Sequence, residues 1–290
     1  MALNLVKAGF EVAVPERRSL PSDVRAATTI CSDPAGVARA SDVIVLMLPD
    51  TPDVEDVLFG SGGVAAVGLE GKLVIDMSSI SPQATKTIAE QLIAAGCQYL
   101  DAPVSGGQIG AKAGTLTIMA GGAGATFERA KPILQALGKS ITHIGEANGA
   151  GQACKIANQM IVALNIQAVA EALALVSRFG VDKVKVREAM LGGFAGSRVL
   201  EVHGQKMIDG AFEPGFRIAL HRKDLRLAMG VAETLGASVP ATQVVEQLFT
   251  EAIDQGGSNW DHSALFRIAE QSSRSSCVTT SANRPEWDCL

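Results

Sequence analysis

Short apolar runs alternate with amphipathic stretches through the first half of the chain. Glu11–Val14 (EVAV), Asp42–Leu48 (DVIVLML), Lys72–Met77 (KLVIDM), Gln98–Leu100, Thr115–Met119 and Ile141–Ile144 read as strands. Ala2–Ala8, Pro82–Ala95 and Thr126–Leu137 carry the helical spacing between them. A continuous run such as VIVLML implies burial on both faces. Strand–helix alternation of this kind predicts an α/β domain with a mostly parallel sheet and helices on both sides. From Gly149 onward the pattern is helical throughout, at roughly 150–179, 183–192, 195–209, 218–235 and 240–255. The predicted organisation is an α/β domain over 1–147, an all-α domain over 148–270 and a tail over 271–290. The tail reads QSSRSSCVTTSANRPEW, has no helical period and is expected to be disordered.

A parallel sheet that binds nucleotide phosphates usually opens with a strand, a G-x-G-x-x-G turn and a helix. This sequence opens on the helix, with Ala2, Leu3, Leu5 and Val6 on its apolar face and Gly9 at its end. No strict G-x-G-x-x-G occurs. Gly149-Ala150-Gly151 comes nearest, with Cys154 in the last position. The expectation is that a first strand and its glycine turn are absent, and that Met1 corresponds to an internal methionine of a longer parent. A fold that simply starts with a helix is the alternative.

Composition narrows the class. The chain has 290 residues, 47% hydrophobic and 19% charged, which excludes a disordered chain. Its net charge of −5 and lack of any dense basic surface argue against nucleic acid. The five cysteines are odd in number and scattered without a C-x-x-C pair, so neither a disulfide framework nor a cysteine metal site is expected. Reduced thiols point to the cytoplasm. The apolar stretch Gln159–Val176 contains Asn165, Gln167 and Glu171 and reads as a buried helix, not a membrane span.

Several segments carry candidate chemistry. Glu11–Arg18 is a strand ending in Glu16-Arg17-Arg18. An acid there accepts from a ribose 2′-hydroxyl and an arginine holds a 2′-phosphate, so NAD and NADP both stay open, with the two arginines leaning to NADP. A solvated charged turn explains the same residues equally. Met47-Leu48-Pro49 ends a buried strand, where ligands of open α/β sheets sit; an ordinary strand stop looks the same. Ser105-Gly106-Gly107 allows close backbone approach with N–H groups free for a carboxylate. G-x-S-x-G is absent, which disfavours a serine hydrolase. Gln152, Lys155, Asn158 and Gln159 fall at i, i+3, i+6 and i+7, along one helical stripe. A lysine with amides on a mostly apolar helix is costly unless paired or used. His221 and His262 lack ligand spacing and read as structural, as does Asp261 at a helix start. No metal is expected.

Seven segments together resemble the β-hydroxyacid dehydrogenase family, the 3-hydroxyisobutyrate dehydrogenase-like proteins. They are MLPDTPDV (47–54), IDMSSISP (75–82), DAPVSGGQIGAKAGTLTIMAGG (101–122), GAGQACKIANQ (149–159), GGFAGSRVL (192–200), FEPGFRIALHRKDL (212–225) and NWDHSAL (259–265). The last three look most like its tartronate semialdehyde reductase branch. The resemblance covers roughly residues 1–270. It implies a Rossmann-like NAD(P)-binding domain followed by an all-α substrate and dimerisation domain. It implies NAD(P)-dependent reduction of tartronate semialdehyde to glycerate, or oxidation of a similar small β-hydroxy acid such as 3-hydroxyisobutyrate. It places the catalytic lysine at Lys155 with Asn158 beside it. Substrate binding falls to Ser105, Gly106, Gly107 and Gln159, and cofactor contacts to Met47, Leu48, Pro49, Ser79 and Lys223, alongside Glu16, Arg17 and Arg18. It also implies a homodimer or tetramer. Imine reductases share the fold but generally lack the lysine. The competing expectation is a truncated, catalytically impaired member that only dimerises or binds.

Overall fold

The computed structural model describes residues 1–17 and 19–278, with 272–278 as backbone only. Its contacts divide the chain into two compact units, Met1–Ala157 and Asn158–Leu290.

The first unit begins with α1 (Ala2–Lys7), β1 (Ala13–Pro15), α2 (Ser22–Ala27), β2 (Thr29–Cys31), α3 (Pro34–Ala40) and β3 (Val43–Leu46). There follow α4 (Thr51–Phe59), β4 (Leu73–Asp76), α5 (Pro82–Ala94), β5 (Gln98–Asp101), β6 (Val104–Ser105) and α6 (Gly107–Ala113). It closes with β7 (Leu116–Gly121), α7 (Gly124–Leu137), β8 (Gly138–Gly145) and the start of α8 (Ala150–Arg178). β3, β4 and β5 pair in parallel; β7 runs antiparallel to β5 and β6 and parallel to β8. β1 and β2 form a separate parallel pair, and among the described residues no strand pairing joins it to β3.

The strands alternate two cores, as a sheet covered on both faces must. Leu73, Ile75 and Leu100 enter one cluster with Leu116, Ile118, Phe127 and Leu134. Val74, Tyr99, Ile44 and Leu46 enter the other with Val54, Leu58, Ile88 and Leu92. The expected doubly wound α/β domain is present.

Sequence periodicity located the long strands but passed over α2, β2, α3 and α4. β2 has 3 residues and α3 has 7, too short for a period to register. α4 did carry a signal: Asp50 and Asp53 form a capping box on either side of Pro52.

The second unit comprises the rest of α8, then α9 (Lys183–Leu191), α10 (Arg198–Asp209), α11 (Ile218–Thr234), α12 (Pro240–Asp254) and α13 (Leu265–Val278). Its core joins Ala163, Ile166, Val169, Ala170 and Leu173 of α8 to Leu200, Ile218, Leu225, Phe249, Leu265 and Ile268. α8 is long and apolar enough to cross a membrane. Its alanine-rich face instead fills this core, so it is a core helix.

Two boundaries differ from expectation. The division of the units falls inside α8, beyond the 147/148 boundary read from the glycines, because the first turn of α8 is bonded to the sheet (below). α13 also reaches Val278, into the segment 271–290 expected to be disordered. Leu265, Phe266 and Ile268 anchor the helix in the core, and a nucleated helix propagates through residues that would not start one. The remainder of that tail lies outside the described residues.

Candidate active site

The parallel strands β3, β4 and β5 end side by side, and their carboxyl ends carry the polar groups of the first unit. After β3 come Met47, Leu48 and Pro49. Met47 is 54% exposed, a large apolar side chain left open at a strand end. The Leu48 N–H donates to Ser78 Oγ at 2.9 Å, fixing this turn to the one after β4. Gln152, in the first turn of α8, donates from Nε2 to the Ser78 carbonyl at 2.8 Å and accepts from the Ile80 N–H at 3.2 Å. Gln152 thus straddles Ser79. Leu48, Ser79 and the start of the Lys155 helix are thereby gathered at one edge of the sheet.

Beneath them lies a buried pair of acids. Asp76 and Asp101 are register partners at the ends of β4 and β5, and neither is exposed. Asp76 accepts from the Ser78 N–H at 2.9 Å and from the Tyr99 hydroxyl at 3.1 Å. Asp101 accepts from the N–H groups of Gly149 at 2.8 Å and Gln152 at 3.0 Å. Burial pushes both carboxyls up to about 6, partly offset by these donors, and the neighbouring Asp76 charge adds to the rise at Asp101. Burial and the same acids push the Tyr99 phenol well above its ordinary value.

Lys155 is 6% exposed and lies one turn after Gln152 on α8. Ser105, Gly106 and Gly107 sit further along the sheet, where β6 pairs β7 at its edge. Gly106 has φ +126° and Gly107 φ +59°, conformations that favour glycine at this turn. Glu16 follows β1, but its carboxylate is ion-paired with Arg25 of α2, which also holds it below the usual carboxylate range. Arg17 accepts from Leu20 N–H through its carbonyl. Arg18 lies outside the described residues.

In the second unit the other stripe residues form their own network. Asn158 donates to Gln159 Oε1 at 2.9 Å, and Gln159 Nε2 donates to Asp224 Oδ2 at 2.6 Å. Lys223 Nζ lies 3.1 Å from Asp224 Oδ1.

The same unit holds a cluster that spacing did not reveal. His221 Nε2 is 3.1 Å from the Gln159 carbonyl, so that nitrogen carries a proton. In neutral rings the rest follows. His221 Nδ1 accepts from His262 Nδ1 at 2.9 Å, and His262 Nε2 accepts from His203 Nε2 at 3.2 Å. His203 Nδ1 is left with no hydrogen bond, 3.8 Å from Asp261 Oδ1. Burial lowers His203 and His262, the latter further through its histidine neighbours. His203, Asp261 and His262 are close enough to share a metal ion. The oxygens of Asp261 already accept from Lys206, Gly215, Phe216 and Ser263, which favours a hydrogen-bond chain over a metal centre. Those partners outweigh its burial and hold the Asp261 carboxyl far below its ordinary value. Sequence reasoning read His221, His262 and Asp261 as structural; the fold brings them together with His203 in one buried cluster.

Sequence reasoning missed Asp76, Asp101 and Tyr99. A signal existed: each acid ends its strand directly after buried apolar residues, in LVID and QYLD.

Comparison with known proteins assigns both halves. Residues 1–145 match the NAD binding domain of 6-phosphogluconate dehydrogenase. Residues 149–269 match the NAD-binding domain of NADP-dependent 3-hydroxyisobutyrate dehydrogenase. The chain is 51% identical over 271 residues to 2-hydroxy-3-oxopropionate reductase of Escherichia coli, covering 93% of this chain and 92% of that one. It is 38% identical to 2-(hydroxymethyl)glutarate dehydrogenase of Eubacterium barkeri, covering 93% and 91%. Among solved structures, 3-hydroxyisobutyrate dehydrogenase from Salmonella typhimurium superposes with a TM-score of 0.84 at 30% identity, over 92% of this chain and 94% of that one. The Mycobacterium tuberculosis 3-hydroxyisobutyrate dehydrogenase with L-serine gives 0.81 at 32% identity, over 92% and 93%.

Beyond β3 stand the exposed Met47 and Pro49, and beyond β4 the half-buried Ser79, a strand-end lining open to a nicotinamide cofactor. No G-x-G-x-x-G stands in the 290 residues to hold the pyrophosphate. The cofactor is NAD or NADP. With both halves matched in order, and its motifs resting where a dinucleotide-binding sheet exposes its strand ends, the chain belongs to the β-hydroxyacid dehydrogenase family of NAD(P)-dependent oxidoreductases.

Proposed function

We propose that this protein reduces tartronate semialdehyde to glycerate, or in reverse oxidises a similar small β-hydroxy acid such as 3-hydroxyisobutyrate, with Lys155 as acid and base. The observation that carries the reading is Lys155 itself. It is a buried lysine on the helix whose first turn is bonded to the carboxyl edge of the sheet. The 51% identity to 2-hydroxy-3-oxopropionate reductase supports the substrate.

Bound nicotinamide supplies or accepts the hydride. As charge grows on the aldehyde oxygen, the Lys155 ammonium donates a proton to it; in oxidation neutral Lys155 takes that proton back. Asn158 orients the substrate hydroxyl, held by its bond to Gln159. Ser105, Gly106 and Gly107 hold the carboxylate. Met47, Leu48, Pro49 and Ser79 contact the cofactor. Glu16 is offered to the ribose only by giving up Arg25, which leaves Arg17 and Arg18 as the phosphate-side candidates and favours NADP. Lys223 is included as a cofactor contact on family resemblance.

The protein is further proposed to be a cytoplasmic homodimer or homotetramer. Free thiols at Cys31, Cys97 and Cys154 suit the cytoplasm. On α8, Ile161 is 61% and Leu175 69% exposed, apolar positions that a second copy would cover. Light scattering tests this: a monomer at micromolar concentration refutes it.

The activity is tested by following NADPH and NADH oxidation with tartronate semialdehyde in wild type and Lys155→Ala. The variant is expected to lose at least about a thousandfold in turnover while keeping its circular dichroism. Retained turnover refutes the role of Lys155.

A further inference from the structure

The helix that carries Lys155 has no N-terminal cap of its own. A capping residue usually accepts from the third helical N–H, while the third side chain accepts from the cap's own N–H. At α8 the cap position is Gly149, which has no side chain. Its φ of +91° favours glycine, and a Cβ there would stand 3.0 Å from the Pro82 carbonyl. The third position is Gln152, whose side chain is already committed to Ser78 and Ile80. No acid occurs in the first turn. The two N–H groups that a capping box would satisfy, those of Gly149 and Gln152, are instead both bonded to Asp101 of β5.

The seat is also tight. A Cβ on Gly151 would meet the Met119 carbonyl at 2.3 Å and Asp101 Oδ2 at 2.8 Å. A Cβ on Gly121 would meet the Gly151 nitrogen at 2.5 Å. Two glycines therefore let the helix end approach the strands until one carboxylate spans both N–H groups.

We infer that Asp101 is a positioning residue: as the cap of α8 supplied from the sheet, it fixes the first turn of that helix and so the place of Lys155. The inference rests on Lys155 being the proton donor proposed above. Asp101 is fully buried. It acts through two backbone bonds, with Gln152 as the second tie and Asp76 as the fixed neighbour on β4. The groups that face it are Asp76 and Tyr99 from the strands; Lys86 of α5 lies beside Gly149. A carboxylate accepts with both oxygens, whereas Asn offers one acceptor and must turn a donor toward the other N–H.

The test compares wild type, Asp101→Asn and Lys155→Gln. First, amide hydrogen exchange is measured without cofactor or substrate. In Asp101→Asn the Gly149 and Gln152 amides are expected to exchange about tenfold faster, as for a lost cap, while Leu100 and Ile118 are unchanged. Second, kcat with tartronate semialdehyde and NADPH is expected to fall roughly ten- to a hundredfold with KM within about twofold, as for a displaced catalytic group. Unchanged exchange, or unchanged kcat where Lys155→Gln is inactive, overturns the positioning role. An active Lys155→Gln overturns the proton-donor reading instead, and with it the purpose of the positioning, whatever the exchange shows. Should Asp101→Asn not fold, exchange in wild type decides. Corrected for intrinsic rates, the Gly149 and Gln152 amides must loosen together as the Asp101 carboxyl protonates, and a flat profile overturns the inference.

Discussion

Replacing Asp76 by Asn should stabilise the first unit, and only where the aspartate is ionised. Asp76 is fully buried beside Asp101, and burial raises its carboxyl from 3.8 to about 6. An upward shift of roughly two units means the folded state disfavours the charge by about 3 kcal/mol, at ~1.36 kcal/mol per unit. Asn keeps both contacts: its oxygen accepts from the Ser78 N–H, and its amide donates to the Tyr99 oxygen, whose own proton turns to Thr85. The sign is fixed by linkage. The folded state binds the proton more tightly than the unfolded one, so the cost is fully present above pH 6 and vanishes toward pH 4. Urea unfolding should show Asp76→Asn more stable by about 3 kcal/mol at pH 8, with the gain shrinking to near zero by pH 4. Tyr99 is the single tyrosine, so its near-ultraviolet signal reports this unit. A variant less stable at pH 8, or a difference independent of pH, refutes the reasoning.

Other outcomes follow from the same contacts. Gly151→Ala should cost about 2 kcal/mol or more by calorimetry, because its Cβ meets backbone at 2.3 Å and no side chain can yield. The helical unit should respond to acid in the opposite sense to Asp76. His203 and His262 are lowered from 6.5, so their contribution is whole above that pH and falls as pH drops below it, read as a declining melting temperature. Nitrogen-15 shifts should show the proton on Nε2 of His221, Nδ1 of His262 and Nε2 of His203, and a different tautomer at His221 would break the chain. Lys206→Met should destabilise by about 2 kcal/mol in thermal melts, since it strips a cation from the buried Asp261 carboxylate.

What the sequence disclosed, it disclosed through local pattern. The strands of the central sheet and the 29-residue α8 announce themselves by apolar runs and by the lysine–amide stripe on an otherwise apolar helix. Strand register is not local. Asp76 and Asp101 become neighbours only once β4 and β5 align, and Asp101 becomes a cap only because Gly149 cannot carry one. The histidine chain joins residues 41 and 59 positions apart, which no spacing rule detects. The charged turn after β1 was legible as a cofactor candidate, but Arg25 as the partner of Glu16 depends on where α2 folds. α13 ran past its expected end because packing at Leu265 and Ile268, not serine content, decides whether the helix starts.

The most direct test of the account is NADPH and NADH oxidation with tartronate semialdehyde. It is run on the 290-residue chain and on a form extended at the N-terminus by a strand and glycine turn, each with and without Lys155→Ala. The account predicts cofactor oxidation that disappears with Lys155. Oxidation that survives Lys155→Ala, or none from either form across a panel of small semialdehydes, would contradict it.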